Sequence, residues 1–433
     1  MKYYSTNGKA PVASFKEAVF KGLPNDNGLY MPEKIPSLPS SFWNSFNELT
    51  LPEMGFHILK SFVDGEIPDA ELKDIVSETL SFDIPLRQVS GFMFCLELFH
   101  GPTFAFKDVG ARFLARTLAY FSEEKNEQLT VLVATSGDTG SAVAQGFYNV
   151  PNIDVVILYP SGKISDFQKQ QMTTLGKNIT ALEVSGTFDD CQKLVKKAFL
   201  DIQLNKELKL TSANSINIVR MLPQSIYYFY GMTQLPPHKR TNVVFSVPSG
   251  NYGNLTAGLI AQRMGLSIQH FLACSNSNDT VPKYLETSHY EARESIQTIS
   301  NAMDVGDPSN FARMLDLYSG SHQRMQENIT GFSFSDDETR KAIQTVFSES
   351  GYVLDPHGAI SYLGLSEYLK TNSGTGIFLE TAHPGKFRET VESQINQKLD
   401  TILEFDDKES KSIPISGDYE NFRSFLMDTK TGS

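Results

Sequence analysis

Residues 131–134, Val-Leu-Val-Ala, run without a break into Thr135-Ser-Gly-Asp-Thr-Gly-Ser141 and then into the helix-like Ala-Val-Ala-Gln-Gly-Phe-Tyr of 142–148. The same order recurs twice. Val-Val-Phe-Ser-Val at 243–247 leads into Pro248-Ser-Gly-Asn-Tyr-Gly-Asn254 and a helical 255–264. Ile-Phe-Leu-Glu at 377–380 leads into Thr381-Ala-His-Pro-Gly385 and a helical stretch from Lys386. Apolar runs this continuous suit strands covered on both faces, and strand–turn–helix repeated in this way predicts parallel α/β sheets. In such sheets ligands gather at the carboxyl ends of the strands. Glycines let the backbone approach a ligand, and the next helix presents unpaired N–H groups with a partial positive charge. The three turns therefore predict a site for a phosphorylated or carboxylated small molecule.

Outward from these turns, further strands are expected at 92–96, 154–159, 180–184 and 268–274. Residues before about 88 are different: Pro-rich turns, then helical periodicity near 52–62 and 69–80, with no evident chemistry. Residues 235–241, Leu-Pro-Pro-His-Lys-Arg-Thr, read as a linker, and the charged, weakly periodic stretch from 404 onward as a tail of doubtful order. The 433 residues suffice for two or three domains, and 40% hydrophobic against 20% charged residues is a globular balance. A net charge of −12 opposes non-specific nucleic-acid binding. Three scattered cysteines without CxxC spacing read as reduced thiols. The first fifteen residues hold no long apolar core, so no secretory signal is expected, and nowhere do eighteen apolar residues run together as a membrane span requires. A soluble cytoplasmic protein, bound to neither nucleic acid nor membrane, is the expectation.

In the second turn Ser249, Gly250, Asn251, Gly253 and Asn254 can all donate to an anion, although many Gly/Asn-rich turns are only turns. GxGxxG and GxxxxGK[ST] are both absent, so an NAD or ATP site is not indicated. The first turn offers hydroxyls, backbone donors and Asp138; its plain alternative is a helix cap. Lys107 stands in His100-Gly-Pro-Thr-Phe-Ala-Phe-Lys-Asp108, ahead of a helix with apolar positions at Val109, Phe113, Leu114, Leu118 and Phe121. A lysine in a first helical turn meets an unfavourable dipole, and Phe104 and Phe106 beside it favour the neutral amine that attacks an aldehyde. The plain alternative is a solvated lysine paired with Asp108. Asn214, Ser215, Asn217 and Arg220 could clamp a phosphate or carboxylate, or brace a loop. Lys163, after a strand end, could do the same or lie on the surface. His357 and His383 lack metal-ligand spacing, so no metal is assigned, and GxSxG is absent.

Together, HGPTFAFKD, TSGDTG, SGNYGN and LETAHPGKF, in this order, resemble the threonine synthase family, and the opening MKYYSTNGKAPVASFKEAVFKGLPNDNGLYMPE is similar to its long form. The resemblance covers about the first 390 residues. It implies two doubly wound α/β domains of the tryptophan synthase β-like (fold type II) kind behind a mostly helical N-terminal domain. The expected divisions are 1–88 for the N-terminal domain, 89–125 with 236–433 for a large cofactor-binding domain, and 126–235 for a small domain. It implies pyridoxal 5'-phosphate as cofactor and O-phosphohomoserine as substrate, converted with water to threonine and phosphate. Lys107 matches the lysine that bonds the cofactor, Ser249 to Asn254 (with Tyr252 among them) the loop that holds its phosphate, and Thr381 the hydroxyl facing the ring nitrogen. Thr135, Ser136, Gly137 and Thr139 match the loop that grips the substrate carboxylate. Asp138, implied among the cofactor-binding residues, stands where many fold type II relatives carry an Asn that contacts the ring's 3′-oxygen; long-form threonine synthases similarly show Asp. Asn214, Ser215, Asn217, Arg220 and Lys163 are implied on the substrate side.

Two other readings compete. A threonine synthase-like phospho-lyase shares the lysine and the phosphate cradle but yields 2-oxobutyrate; the long N-terminal unit and the complete LETAHPGKF favour the synthase. A non-catalytic module binding a phosphorylated metabolite would make Lys107 dispensable.

Overall fold

The computed structural model describes residues 1–125, 128–402 and 409–431. Its strands are β1 (Lys2–Ser5), β2 (Ala13–Ser14), β3 (Tyr30–Pro32), β4 (Leu86–Ser90), β5 (Met93–Glu97), β6 (Leu129–Ala134), β7 (Ile153–Pro160), β8 (Ile179–Ser185), β9 (Leu210–Ser212), β10 (Val243–Pro248), β11 (His270–Ser275), β12 (Ile329–Ser333), β13 (Thr375–Glu380) and β14 (Ile413–Ser416). They form three sheets. A six-stranded sheet has the order β12-β11-β10-β13-β5-β4, parallel except for β4. A five-stranded sheet has the order β14-β8-β7-β6-β9 and is parallel throughout. A small antiparallel sheet, β2-β1-β3, belongs to the N-terminal region.

The apolar runs explain the layering. Along β6, Val131 and Val133 enter one core while Leu132 and Ala134 enter another, because successive side chains leave opposite faces of a strand. Along β10, Val243, Phe245 and Val247 face one core and Val244 the other. Both sheets are thus buried on both faces, as parallel sheets require. The N-terminal helices Leu51–Val63 and Asp69–Thr79 lie where periodicity places them. The first opens on a capping box, with Thr50 and Glu53 each satisfying the other's backbone N–H. Helix Lys107–Lys125 buries Val109, Phe113, Leu114, Leu118 and Phe121, the stripe expected of it.

Two features depart from expectation. The N-terminal region carries its own three strands beside its helices. The tail, assigned with 236–433 to the six-stranded sheet, instead crosses to the other sheet: Ile413–Ser416 pairs in parallel with β8. Helix Tyr419–Thr431 then buries Phe422 and Leu426 in that sheet's outer core. Arg423 Nε donates to Asp201 at 2.8 Å, fixing the helix there. Residues 403–408 and 432–433 of that tail lie outside the described residues.

Candidate active site

Lys107 is the first residue of its helix, and its placement begins in the loop before it. Phe104 takes a left-handed backbone (φ 57°). Phe106 N–H donates to Thr381 O at 2.9 Å, and His383 N–H donates to Phe104 O at 3.0 Å. These bonds stitch the loop carrying Lys107 to the turn after β13, so Lys107 and Thr381 are set by one short ladder. Asp108 does not pair with Lys107. Its carboxylate accepts from Thr103 N–H at 2.9 Å and Thr103 Oγ1 at 2.5 Å, bracing the loop from behind.

The Lys107 amine faces Asp138 instead, at 3.8 Å, and sits over the Phe106 ring, 4.8 Å from its centroid. Only 16% of the side chain is exposed. Burial, opposed by Asp138 and aided by Lys386 and Arg220, pulls its pKa down to about 8. Asp138 is itself buried. Its Oδ1 receives Lys386 Nζ at 2.6 Å and Gln168 Nε2 at 2.9 Å. Despite the burial, Lys386 and Lys107 hold it well below the usual carboxylate range.

The turns after β6 and β10 are built to leave donors free. Five helices elsewhere open on capping boxes, at Ser14, Thr50, Ser165, Thr187 and Ser335. In helices Asp138–Phe147 and Gly253–Arg263 the N-cap residue itself supplies no side-chain cap bond. Their N-cap residues, Gly137 (φ 134°) and Tyr252 (φ 60°), turn the chain away instead, and the N–H groups of Asp138, Thr139, Gly253 and Asn254 remain available to an anion. Thr135 Oγ1 accepts from Gly137 N–H at 2.9 Å and Gly140 N–H at 2.7 Å, tightening the first turn from within. In the second, a Cβ added to Gly250 would lie 2.6 Å from Met303 Cα, so the loop packs too closely for any other residue. Asn251 Nδ2 donates to Ser215 Oγ at 2.7 Å, joining this loop to the segment after β9.

These elements surround one cavity of about 1520 Å³ between the two large sheets. Lys107, Thr135, Ser136, Asp138, Thr139, Asn214, Ser215, Arg220, Ser249, Gly250, Asn251, Tyr252, Gly253, Asn254 and Thr381 all line it. Three expected residues do not. Gly137 only caps the helix behind it. Asn217 is buried beneath: its amide donates to Val19 O and Ser212 O and caps helix Ile218–Met221, so it braces the loop. Lys163 is exposed in the turn after β7, which Gly162 (φ 67°) carries outward. Two residues without an expected role belong here. Lys386, buried on the turn Pro384–Phe387, reaches Asp138 from behind the cavity lining. His357 lines the cavity, with Nδ1 2.5 Å from Asp355 Oδ1 and Nε2 unpartnered among the described residues. Lys386 lies inside the quoted LETAHPGKF, but burial of a lysine has no local signature.

The two-sheet fold, the amine at a helix start and the anion-ready turns opposite it define a fold type II pyridoxal-phosphate enzyme. Residues 83–376 match the family model of pyridoxal-phosphate dependent enzymes, and residues 2–80 that of the threonine synthase N terminus. The chain is 45% identical to the threonine synthase of Haemophilus influenzae over 99% of its own length and all of the relative's. With that of Escherichia coli it shares 42% identity over the same proportions. The crystal structure of the Escherichia coli enzyme superposes with a TM-score of 0.93 over 99% of this chain and 100% of that one. That of pyridoxal-phosphate-bound threonine synthase from Brucella melitensis gives 0.90 at 34% identity, over 99% of each chain. The chain belongs to the threonine synthase family, and its cofactor is pyridoxal 5'-phosphate.

The cavity fits that cofactor. Asn254 Nδ2, Arg220 Nε and His357 Nε2 are buried polar atoms of its lining that lack a partner among the described residues. Together with the two uncapped helix starts, they leave hydrogen-bonding capacity that a phosphorylated, polar ligand satisfies.

Proposed function

We propose that the chain converts O-phospho-L-homoserine and water to L-threonine and phosphate in the cytoplasm, with Lys107 as the base. The observation that carries this reading is the Lys107 amine, desolvated and beside Asp138, opposite the uncapped turn at residues 249–254. The near full-length match to threonine synthases supports it. No helix among the described residues is long and apolar enough to cross a membrane.

Pyridoxal phosphate, when bound, supplies a sink for the negative charge that develops at the substrate carbons. Its phosphate would rest on the backbone N–H groups of Gly250 to Asn254, its aldehyde against Lys107, and its ring nitrogen near Thr381. The substrate carboxylate would take the N–H groups of Ser136, Asp138 and Thr139, and its phosphate the side chains of Asn214, Ser215 and Arg220. Arg220 is buried with its Nη1 on Ala213 O, so it is pre-set rather than recruited. Lys107 takes the proton at Cα and then one at Cβ, which lets phosphate leave from Cγ. Water adds at Cβ, and protons return to Cα and Cγ. An amine whose pKa is pulled down to about 8 suits this shuttling, because a base works best with its pKa close to the operating pH.

Product analysis with O-phosphohomoserine tests the assignment. Threonine and phosphate are expected in equal amounts; phosphate with 2-oxobutyrate would move the chain to the phospho-lyase reading. Gly250→Ala probes the cradle. The added methyl must push the loop off Met303, at a cost of about 1–3 kcal/mol. Spectroscopic titration with pyridoxal phosphate should show affinity weaker by about five- to 150-fold, and unchanged affinity would remove this loop from cofactor binding.

A further inference from the structure

Two lysines, Lys107 in the cavity and Lys386 behind its wall, share the Asp138 carboxylate, and they share it unequally. Lys386 Nζ is fully buried, stands 2.6 Å from Asp138 Oδ1 and donates to Thr103 O at 2.9 Å. Gln168 Nε2 donates to the same oxygen at 2.9 Å. Lys107 meets only Oδ2, at 3.8 Å, beyond hydrogen-bond range. Asp138 is therefore satisfied from the side away from Lys107.

We propose that Lys386 is a positioning residue: it engages Asp138 so that the carboxylate does not clamp Lys107 as a closed ion pair, leaving the Lys107 amine free to bond the cofactor aldehyde near neutral pH. This rests on the reading of Lys107 as the cofactor-bonding lysine. In that bonding step the neutral amine adds to the aldehyde carbon, a C=N bond forms and one water leaves. The charged groups facing Lys107 come from several elements. Asp138 and Asp355 favour its ammonium, while Lys386 and Arg220 oppose it. Asp138 in turn faces His357 as well as the two lysines. Loss of the Lys386 charge removes one repulsion and releases Asp138 toward Lys107. Both changes favour the ammonium, so Lys107 would stay protonated to higher pH.

The test uses the full chain freed of cofactor. Pyridoxal phosphate is added from mildly acidic to alkaline pH, the visible absorbance is followed, and the adduct is reduced with borohydride and located by mass spectrometry. In Lys386→Met the midpoint of the capture profile should rise by about one pH unit, so that capture at neutral pH slows about tenfold. Lys386→Arg, which keeps the charge, should restore the parent profile. Asp138→Asn/Lys386→Met removes both charges and buries no unpaired one, so it serves even where the single variant does not fold. Its midpoint should lie within about half a unit of the parent. A Lys386→Met midpoint at the parent value overturns the proposal. So does a double-variant midpoint lower by about a unit or more, since Asp138 would then have been clamping Lys107 all along. If the parent itself forms no adduct on Lys107, the underlying site reading fails instead.

Discussion

Lys107→Ala should lower threonine formation by about a thousandfold or more, the scale set by losing a positioned base, while leaving the thermal midpoint close to that of the parent. The two halves of this expectation have separate causes. Activity falls because the carboxylates near the amine are committed elsewhere: Asp138 to Lys386 and Gln168, Asp108 to Thr103. Stability holds because the amine contributes little to the fold. It sits at a helix start and is desolvated, both unfavourable for its charge. Removing it leaves Asp138 with Lys386 at 2.6 Å, so no unpaired carboxylate is created. Product assays and a circular-dichroism melt on one preparation decide the matter. Activity within tenfold of the parent would remove Lys107 from the chemistry.

The largest stability effect is expected far from the reacting atoms, at Arg313. This fully buried guanidinium donates to Tyr30 O at 3.2 Å, Ser215 O at 2.9 Å, Ile216 O at 2.7 Å and Asn310 Oδ1 at 2.6 Å. It ties β3 of the N-terminal region to the segment that carries Ser215. Asn310 Nδ2 passes the tie to the turn after β10 through Asn251 O at 3.0 Å. Burial pulls the Arg313 pKa down to about 9, so the charge itself is costly. Arg313→Met relieves that cost but strands four acceptors, each worth about 1–3 kcal/mol when buried without a partner. The acceptors outweigh the relief, and a net loss of about 3 kcal/mol or more is expected by thermal or urea unfolding. The Michaelis constant for the substrate should rise as well, because Ser215 loses its support. A variant as stable as the parent would show that the guanidinium serves none of these groups.

Much of this architecture is legible in the chain itself, for physical reasons. Strands such as β6, β10 and β13 are buried on both faces, so every residue in them answers to a core and the apolar run stands out. Edge strands leave no such mark. In β12, Ile-Thr-Gly-Phe-Ser, only Ile329 is buried, and β14 is almost wholly exposed. The turns after β6 and β10 are legible because close backbone approach demands glycine at Gly137 and Gly250. Charge placement is not. Lys163 and Lys386 are the same residue type beside similar Gly turns, yet one faces solvent and the other is sealed against Asp138. That difference is made by a partner distant in the chain, which no local pattern encodes. The same holds for Asn217, whose amide is spent on Val19 and Ser212 rather than on a ligand.

The strand formed by 413–416 completes the sheet whose other members lie between residues 129 and 212. During synthesis those four strands leave the ribosome long before their outer neighbour. Until then β8 presents an open row of unpaired amides and carbonyls, the kind of edge that invites pairing with another chain. The six-stranded sheet waits too, since β13 must insert between β5 and β10. Neither sheet beside the cavity is complete until late in synthesis, and a chain cut short before residue 413, though it keeps every residue that lines the cavity, would expose the β8 edge to pairing with another chain.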